Sequence, residues 1–184
     1  PGITIERDQG EGRYVSIRGL APQFTNTSVN GEQIPSPEAD VRFVALDAIP
    51  SDQLSSIEVT KALTPDMDGD AIGGSINLIT KTAQSNKPEI LGSLGGGYNN
   101  LMKRPNLQGQ LQYGQRFGKN QKFGMLLNSN YYHNDLGSDG VERAVEDNEL
   151  ELRDYELTRT RLGLSSSFDY KFNPNHEVYL KGLY

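Results

Sequence analysis

Asp66, Asp68 and Asp70 alternate along the chain, a spacing that invites a calcium reading. A calcium loop of the EF-hand kind uses such spacing, with Gly at its sixth position and a bidentate Glu at its twelfth. Counted from Asp66, those positions hold Ala71 and Asn77. The motif fails, and a solvated acidic turn is expected instead. The two histidines, His133 and His176, lie too far apart in sequence for a paired ligand motif, and cysteine is absent. Thiolate metal sites and a disulfide framework are thereby excluded. Gly73-Gly74 lacks the strand–GxGxxG–helix setting of a phosphate cradle and reads as a close backbone approach. No G-x-S-x-G element is present. The expectation is a protein that is not an enzyme, with no metal and no cofactor. Arg153, Arg159 and Arg161 are the nearest thing to a basic cluster, and they read as a solvated strand face.

The bulk numbers agree. The formal net charge is −6, which argues against nucleic acid as a partner, since phosphate binding wants clustered Lys and Arg. Mean hydropathy is −0.60, and no run of about 18 apolar residues exists, so a transmembrane helix is excluded. A transmembrane barrel is not, because its strands alternate lipid-facing and lumen-facing side chains and each reads as half polar. The chain opens at Pro1-Gly2-Ile3 without a signal peptide and stops at Leu183-Tyr184 inside an alternating run. It reads as a fragment.

Two stretches of different character position these residues. Residues 1–82 mix short apolar runs with turn signals. Tyr14 to Arg18 is a short strand ended by Gly19, and Asn30-Gly31 after Val29 is the strongest short hairpin signal. Apolar residues at 41, 44, 45, 48 and 49 have a helical period, stopped by Pro50. Ser51-Asp52 starts a further helical turn, and Ile57 to Val59 and Ser75 to Lys81 are strands. After a linker at 83–88, residues 89–184 turn to long alternation and make about five strands. Leu107, Leu111, Tyr113 and Phe117 share one face, against Gln108, Gln110, Gln112 and Arg116. Phe123, Met125, Leu127 and Tyr131 repeat the pattern, as do Leu162, Leu164, Phe168, Tyr170 and Phe172. Tight turns at 118–121 and 173–175 alternate with longer loops near 99–105 and 133–148. Aromatic residues collect beside the tight turns, where a membrane-interface girdle would lie. Periodicity alone also suits a soluble sheet with a sandwich core. Strand length favours the membrane, because these strands reach the roughly 9–11 residues that a crossing requires.

Four motifs in order carry a family likeness. They are Ser16-Ile17-Arg18-Gly19-Leu20, then Val29-Asn30-Gly31, then Ile49-Pro50 with Ser56-Ile57-Glu58-Val59-Thr60-Lys61, then Ala71-Ile72-Gly73-Gly74-Ser75-Ile76-Asn77-Leu78-Ile79-Thr80-Lys81. Together they resemble the plug of TonB-dependent outer-membrane receptors. The resemblance implies an α+β plug, here its C-terminal part, followed by the first antiparallel strands of a transmembrane β-barrel. Such a barrel has roughly 22 strands, with the plug in its lumen. It implies active import of a scarce nutrient such as a carbohydrate or a metal chelate across the outer membrane of a Gram-negative cell. Leu63-Thr64-Pro65-Asp66-Met67-Asp68 leans toward the large receptors linked to carbohydrate uptake. The implied partners are TonB (through a box absent from this fragment), a small-molecule or oligosaccharide ligand, outer-membrane lipid and a candidate surface lipoprotein. Arg18 and Glu58 match positions of a charge network that locks plug to barrel. Gln23, Phe24 and Thr25, and Pro37, Glu38, Asp40 and Arg42, fall in loops whose apices face the ligand. From a different class, a β-rich surface or secreted binding module, such as an adhesin, would also fit the alternating strands. Alone, the fragment is expected to fold poorly, with strand edges and an apolar face left open.

Overall fold

The computed structural model describes all residues except 1, 9–10, 37–38, 40, 42, 47–48, 63, 66, 68, 70 and 145–148. The chain forms two compact units, Pro1–Lys81 and Thr82–Tyr184.

In the first unit, β1 (Ile3–Asp8) and β2 (Glu11–Ile17) make an antiparallel pair. A second sheet contains β3 (Thr25–Val29), β4 (Glu32–Gln33), β5 (Leu54–Thr60) and β6 (Gly74–Thr80) in the order β4-β3-β6-β5. β3 and β4 join through Asn30 and Gly31, whose φ angles of 53° and 90° are the left-handed pair that a two-residue hairpin requires. β3 runs parallel to β6, from Thr25↔Gly74 to Val29↔Leu78. A parallel pair cannot close through a tight turn, so the whole of residues 30–73 serves as the crossover. Ile17, Ile49, Ile76 and Leu78 form the core, with Val15, Val29, Ile34, Leu46, Leu54 and Val59 packed around them. Fully burying a side chain of this size contributes roughly 1.5–3 kcal/mol.

The helix expected over 41–49 does not form among its described residues. Val44, Ala45 and Ile49 are buried in irregular backbone. The segment is too short to be stable as a helix by itself, and the residue before Pro50 is steered out of the helical region. Burial of those three side chains therefore decides its path. Among the described residues, helical structure in the first unit consists of 3-10 turns such as Pro22–Phe24 and Ser51–Gln53. Its other regular structure is strand.

The second unit is an antiparallel meander of β7 (Glu89–Asn99), β8 (Arg104–Phe117), β9 (Phe123–Ala144), β10 (Glu149–Asn173) and β11 (His176–Leu183). Most of the loop expected near 133–148 is strand instead. β9 and β10 stay in unbroken register from Tyr170↔Phe123 to Glu149↔Ala144. Gly137, Gly140 and the acidic residues lower intrinsic strand preference, but continuous pairing with β10 overrides it. The connection expected at 99–105 shrinks to 100–103. Asn99 Oδ1 accepts from the amides of Leu101 (2.9 Å) and Met102 (3.2 Å) and closes that turn.

The two faces of this sheet are inverted relative to a soluble one. Leu94, Leu107, Leu111, Leu162 and Leu180 are 90%, 52%, 56%, 58% and 69% exposed. Gln112, Arg116, Asn128, Asn130, Ser167 and Asp169 are all buried. A soluble sandwich buries the opposite set; exposed apolar and buried polar side chains alternate here as they do in transmembrane β-barrel strands. Phe117 and Phe123 stack 5.8 Å apart beside the first tight turn, and Tyr170 and Phe172 meet edge-on at 4.9 Å near the second.

Candidate functional site

In the first unit the hairpin turn is stitched to β6. Asn77 Oδ1 accepts from Ser28 Oγ (3.1 Å) and the Gly31 amide (2.8 Å), and its Nδ2 donates to Glu58 Oε2 (3.1 Å). Asn30 Oδ1 accepts from the Thr80 amide and hydroxyl at 3.1 and 3.0 Å. Gly73 and Gly74 make the close approach that their pairing suggested. The Gly73 amide donates to Phe24 O at 2.8 Å. Gly74 has φ +147°, and a Cβ there would lie 2.6 Å from Thr60 O.

Arg18 is exposed with φ 59°, and Glu58 is exposed on β5. No hydrogen bond or ion pair joins the two; Glu58 is held by Asn77 instead. Gln23 is exposed and Phe24 half-buried in the 3-10 turn. Thr25 is not a loop residue: it opens β3 and is 8% exposed, so its side chain belongs to the interior of the sheet. Pro37, Glu38, Asp40 and Arg42 lie outside the described residues, as do Asp66, Asp68 and Asp70. Among the described residues, no group of three or more His, Asp or Glu is placed to hold a metal.

The strongest polar constellation was not visible in sequence. Arg116 on β8 and Asp169 on β10 form a two-armed ion pair on the polar face, at 2.5 Å from Nη2 and 3.2 Å from Nη1. Both side chains are 8% exposed. Gly124 of β9 lies between them in register with each. A Cβ at Gly124 would stand 2.6 Å from Arg116 Nη1 and clash with Asp169, so the pair closes because this position has no side chain. The guanidinium also donates to the carbonyls of Ala83 (3.0 Å), Gln121 (2.8 Å) and Lys122 (3.4 Å). The Arg116 amide reaches Ser85 O at 2.7 Å, and Gln115 Nε2 donates to Asn86 O at 3.2 Å. The chain segment entering the sheet is thereby strapped to the end of β8.

A second cluster gathers above the apolar band, around Asp135. Thr158 Oγ1 donates to Asp135 Oδ1 at 2.5 Å, and Arg104 and His133 approach its carboxylate at 3.5 and 3.7 Å. Its amide donates to Asn106 Oδ1 (2.9 Å), and its carbonyl accepts from Asn99 Nδ2 (2.8 Å). The Thr158 hydrogen bond, aided by the neighbouring Arg104 and His133 and opposed by burial, holds this carboxyl below its ordinary value of 3.8.

A small strand-rich unit is followed in sequence by antiparallel strands with one apolar and one polar face, the pattern of outer-membrane barrel strands. Residues 1–75 match the family model of the TonB-dependent Receptor Plug Domain. Residues 1–75 thus belong to the plug family of TonB-dependent receptors. No curated protein matches the sequence. Among solved structures, a ferric enterobactin receptor (PfeA) mutant from Pseudomonas aeruginosa in complex with enterobactin is similar, with TM-score 0.66 and 17% identity over 95% of this chain. The siderophore receptor PirA from Acinetobacter baumannii gives TM-score 0.67 and 17% identity over 98% of this chain. The chain spans 27% of the length of each. At such identity the likeness is one of fold.

Proposed function

We propose that the chain supplies part of the gate and the opening strands of a receptor that imports a scarce metal chelate across the outer membrane, driven by TonB. The observation that carries this is the inverted sheet: apolar residues exposed on one face, and amides, Arg116 and Asp169 buried on the other. The plug match ahead of it in sequence supplies the gate. An adhesin-like module has no use for a plug and is disfavoured. Within the reading, Arg18 and Glu58 act as exposed charges available to barrel partners, and Gln23 and Phe24 as ligand-side contacts. The reading asks for no covalent chemistry.

Fractionation of cells expressing the full-length protein tests location. Recovery in the outer membrane with heat-modifiable migration is expected, and recovery as a soluble protein overturns the proposal. Uptake of radioactive iron presented as a chelate should require TonB. Uptake that persists without TonB would refute the energised mechanism.

A further inference from the structure

The apolar row of the β9–β10 ribbon lapses and then returns at its far end. Because the register never shifts, the face holding Tyr131 and Leu162 can be followed along both strands. On β10, Leu162 gives way to Thr160 and Thr158, then to Glu156 and Asp154, and then to Leu152 and Leu150. On β9, Tyr131 gives way to His133 and Asp135, and the row ends on Asp139, Val141 and Arg143. Leu150, Leu152 and Val141 are 67%, 78% and 67% exposed, and Val141 lies directly opposite Leu152. Ten residues separate Leu152 from Leu162, about 33 Å along an extended strand. A hydrocarbon layer covering Leu162 could reach that tip only by burying Asp154 and Glu156, which unpaired carboxylates oppose. Asp139 stands directly opposite Asp154, and both are exposed, as is Glu156. Among the described residues beyond Asp135, this face carries those three carboxylates against one cation, Arg143.

We propose that Val141, Leu150 and Leu152 dock a polypeptide partner whose own aliphatic patch is bordered by Lys or Arg. Three such side chains exposed side by side make a patch on the order of a few hundred Å², the size that marks interaction sites on water-facing surfaces. The acidic belt along its border selects the occupant. Like charges directly opposite each other destabilise a strand pair, so a cation placed over Asp139 and Asp154 relieves a repulsion already present. Complementary charge also steers the encounter and rejects wrong partners. Anionic lipid headgroups meet repulsion here. A second copy of this chain brings the same acidic patch in a two-fold contact and meets it too. The receptor reading supplies the side on which the partner lies: this face looks away from the lumen, so the partner sits beside the barrel and outside the ligand path.

The test uses the full-length receptor in phosphatidylcholine nanodiscs, with empty nanodiscs as the blank. The probe is a labelled synthetic peptide in which Lys alternates with Leu and Val, followed by fluorescence anisotropy. Saturable binding that weakens as salt is added is expected. The Leu150→Ser/Leu152→Ser and Asp139→Asn/Asp154→Asn variants should each weaken it by about tenfold. Glu177→Gln, a carboxylate lost from β11 instead, should leave it unchanged. Heat-modifiable migration of each variant confirms a folded barrel. Equal affinity of both folded double variants, equal binding of a peptide with Glu in place of Lys, or no binding at all overturns the proposal. So does self-association of the receptor, or capture of phosphatidylglycerol vesicles, that disappears in the Leu150→Ser/Leu152→Ser variant, since either assigns the patch to a different occupant. Outer-membrane location and TonB-dependent uptake are measured separately, so the receptor reading can survive the loss of this one.

Discussion

Removing Arg116 should destabilise the barrel more than any single surface change on the same sheet. The side chain is 8% exposed, faces an Asp169 buried equally, and supplies donors to the carbonyls of Ala83, Gln121 and Lys122. Deleting one member of a buried pair leaves the other charge uncompensated, at about 3–5 kcal/mol. Arg116→Ala should therefore shift the urea midpoint of the full-length receptor in micelles by about 1–2.5 M, taking an m-value of roughly 2–3 kcal/mol/M. Gly124→Ala probes the same pair without touching either charge, because the added methyl occupies the space in which they meet. Joint replacement by Arg116→Met and Asp169→Leu should recover most of the loss, since two apolar groups strand no charge. Hydrogen exchange adds a local readout: the Arg116 amide, bonded to Ser85 O, should lose protection first. An Arg116→Ala receptor within about 1 kcal/mol of the parent would refute the claim that this pair anchors the segment at Ala83–Asn86.

Three further outcomes can be checked. Gly74→Ala should cost the plug about 1–3 kcal/mol, because φ +147° and the Thr60 carbonyl both reject a side chain there; thermal unfolding of the full-length receptor, followed at plug-unit amides, reads it. Leu111→Lys should cost about 2–4 kcal/mol in a bilayer, whereas Gln110→Lys on the opposite face should cost much less; urea titration in lipid vesicles separates them. Asp135 has a depressed native pKa, so its contribution to stability is complete above the unfolded value of 3.8 and is lost as pH falls through the lower native one. Amides around Asn99 to Asn106 should exchange faster only below about pH 4, and Asp135→Asn should remove that acid-induced step.

Much of this protein was legible in its residues alone. Asn30-Gly31 specifies a hairpin because left-handed backbone is cheap for those two residues. The alternation of Leu107, Leu111 and Phe117 against Gln108, Gln112 and Arg116 specifies a two-faced strand whatever the strand packs against. Both signals are local, and so they survive without knowledge of the partner. The plug motifs were legible for a different reason, their order over a long stretch.

What tertiary structure decided is non-local. Val44, Ala45 and Ile49 have helical spacing, yet burial against the first unit's core draws them into irregular backbone. Gly137 and Gly140 read as loop until the β9–β10 ladder holds them in a strand. Thr25 read as an apex until parallel pairing with Gly74 placed it inside the sheet. Arg116 and Asp169 are 53 residues apart, and nothing in the composition of either neighbourhood links them. Only the joint register of β8, β9 and β10, with a glycine at the crossing point, brings the two charges together. Periodicity determines which face a residue takes, whereas the pairing of strands determines which residue it meets there.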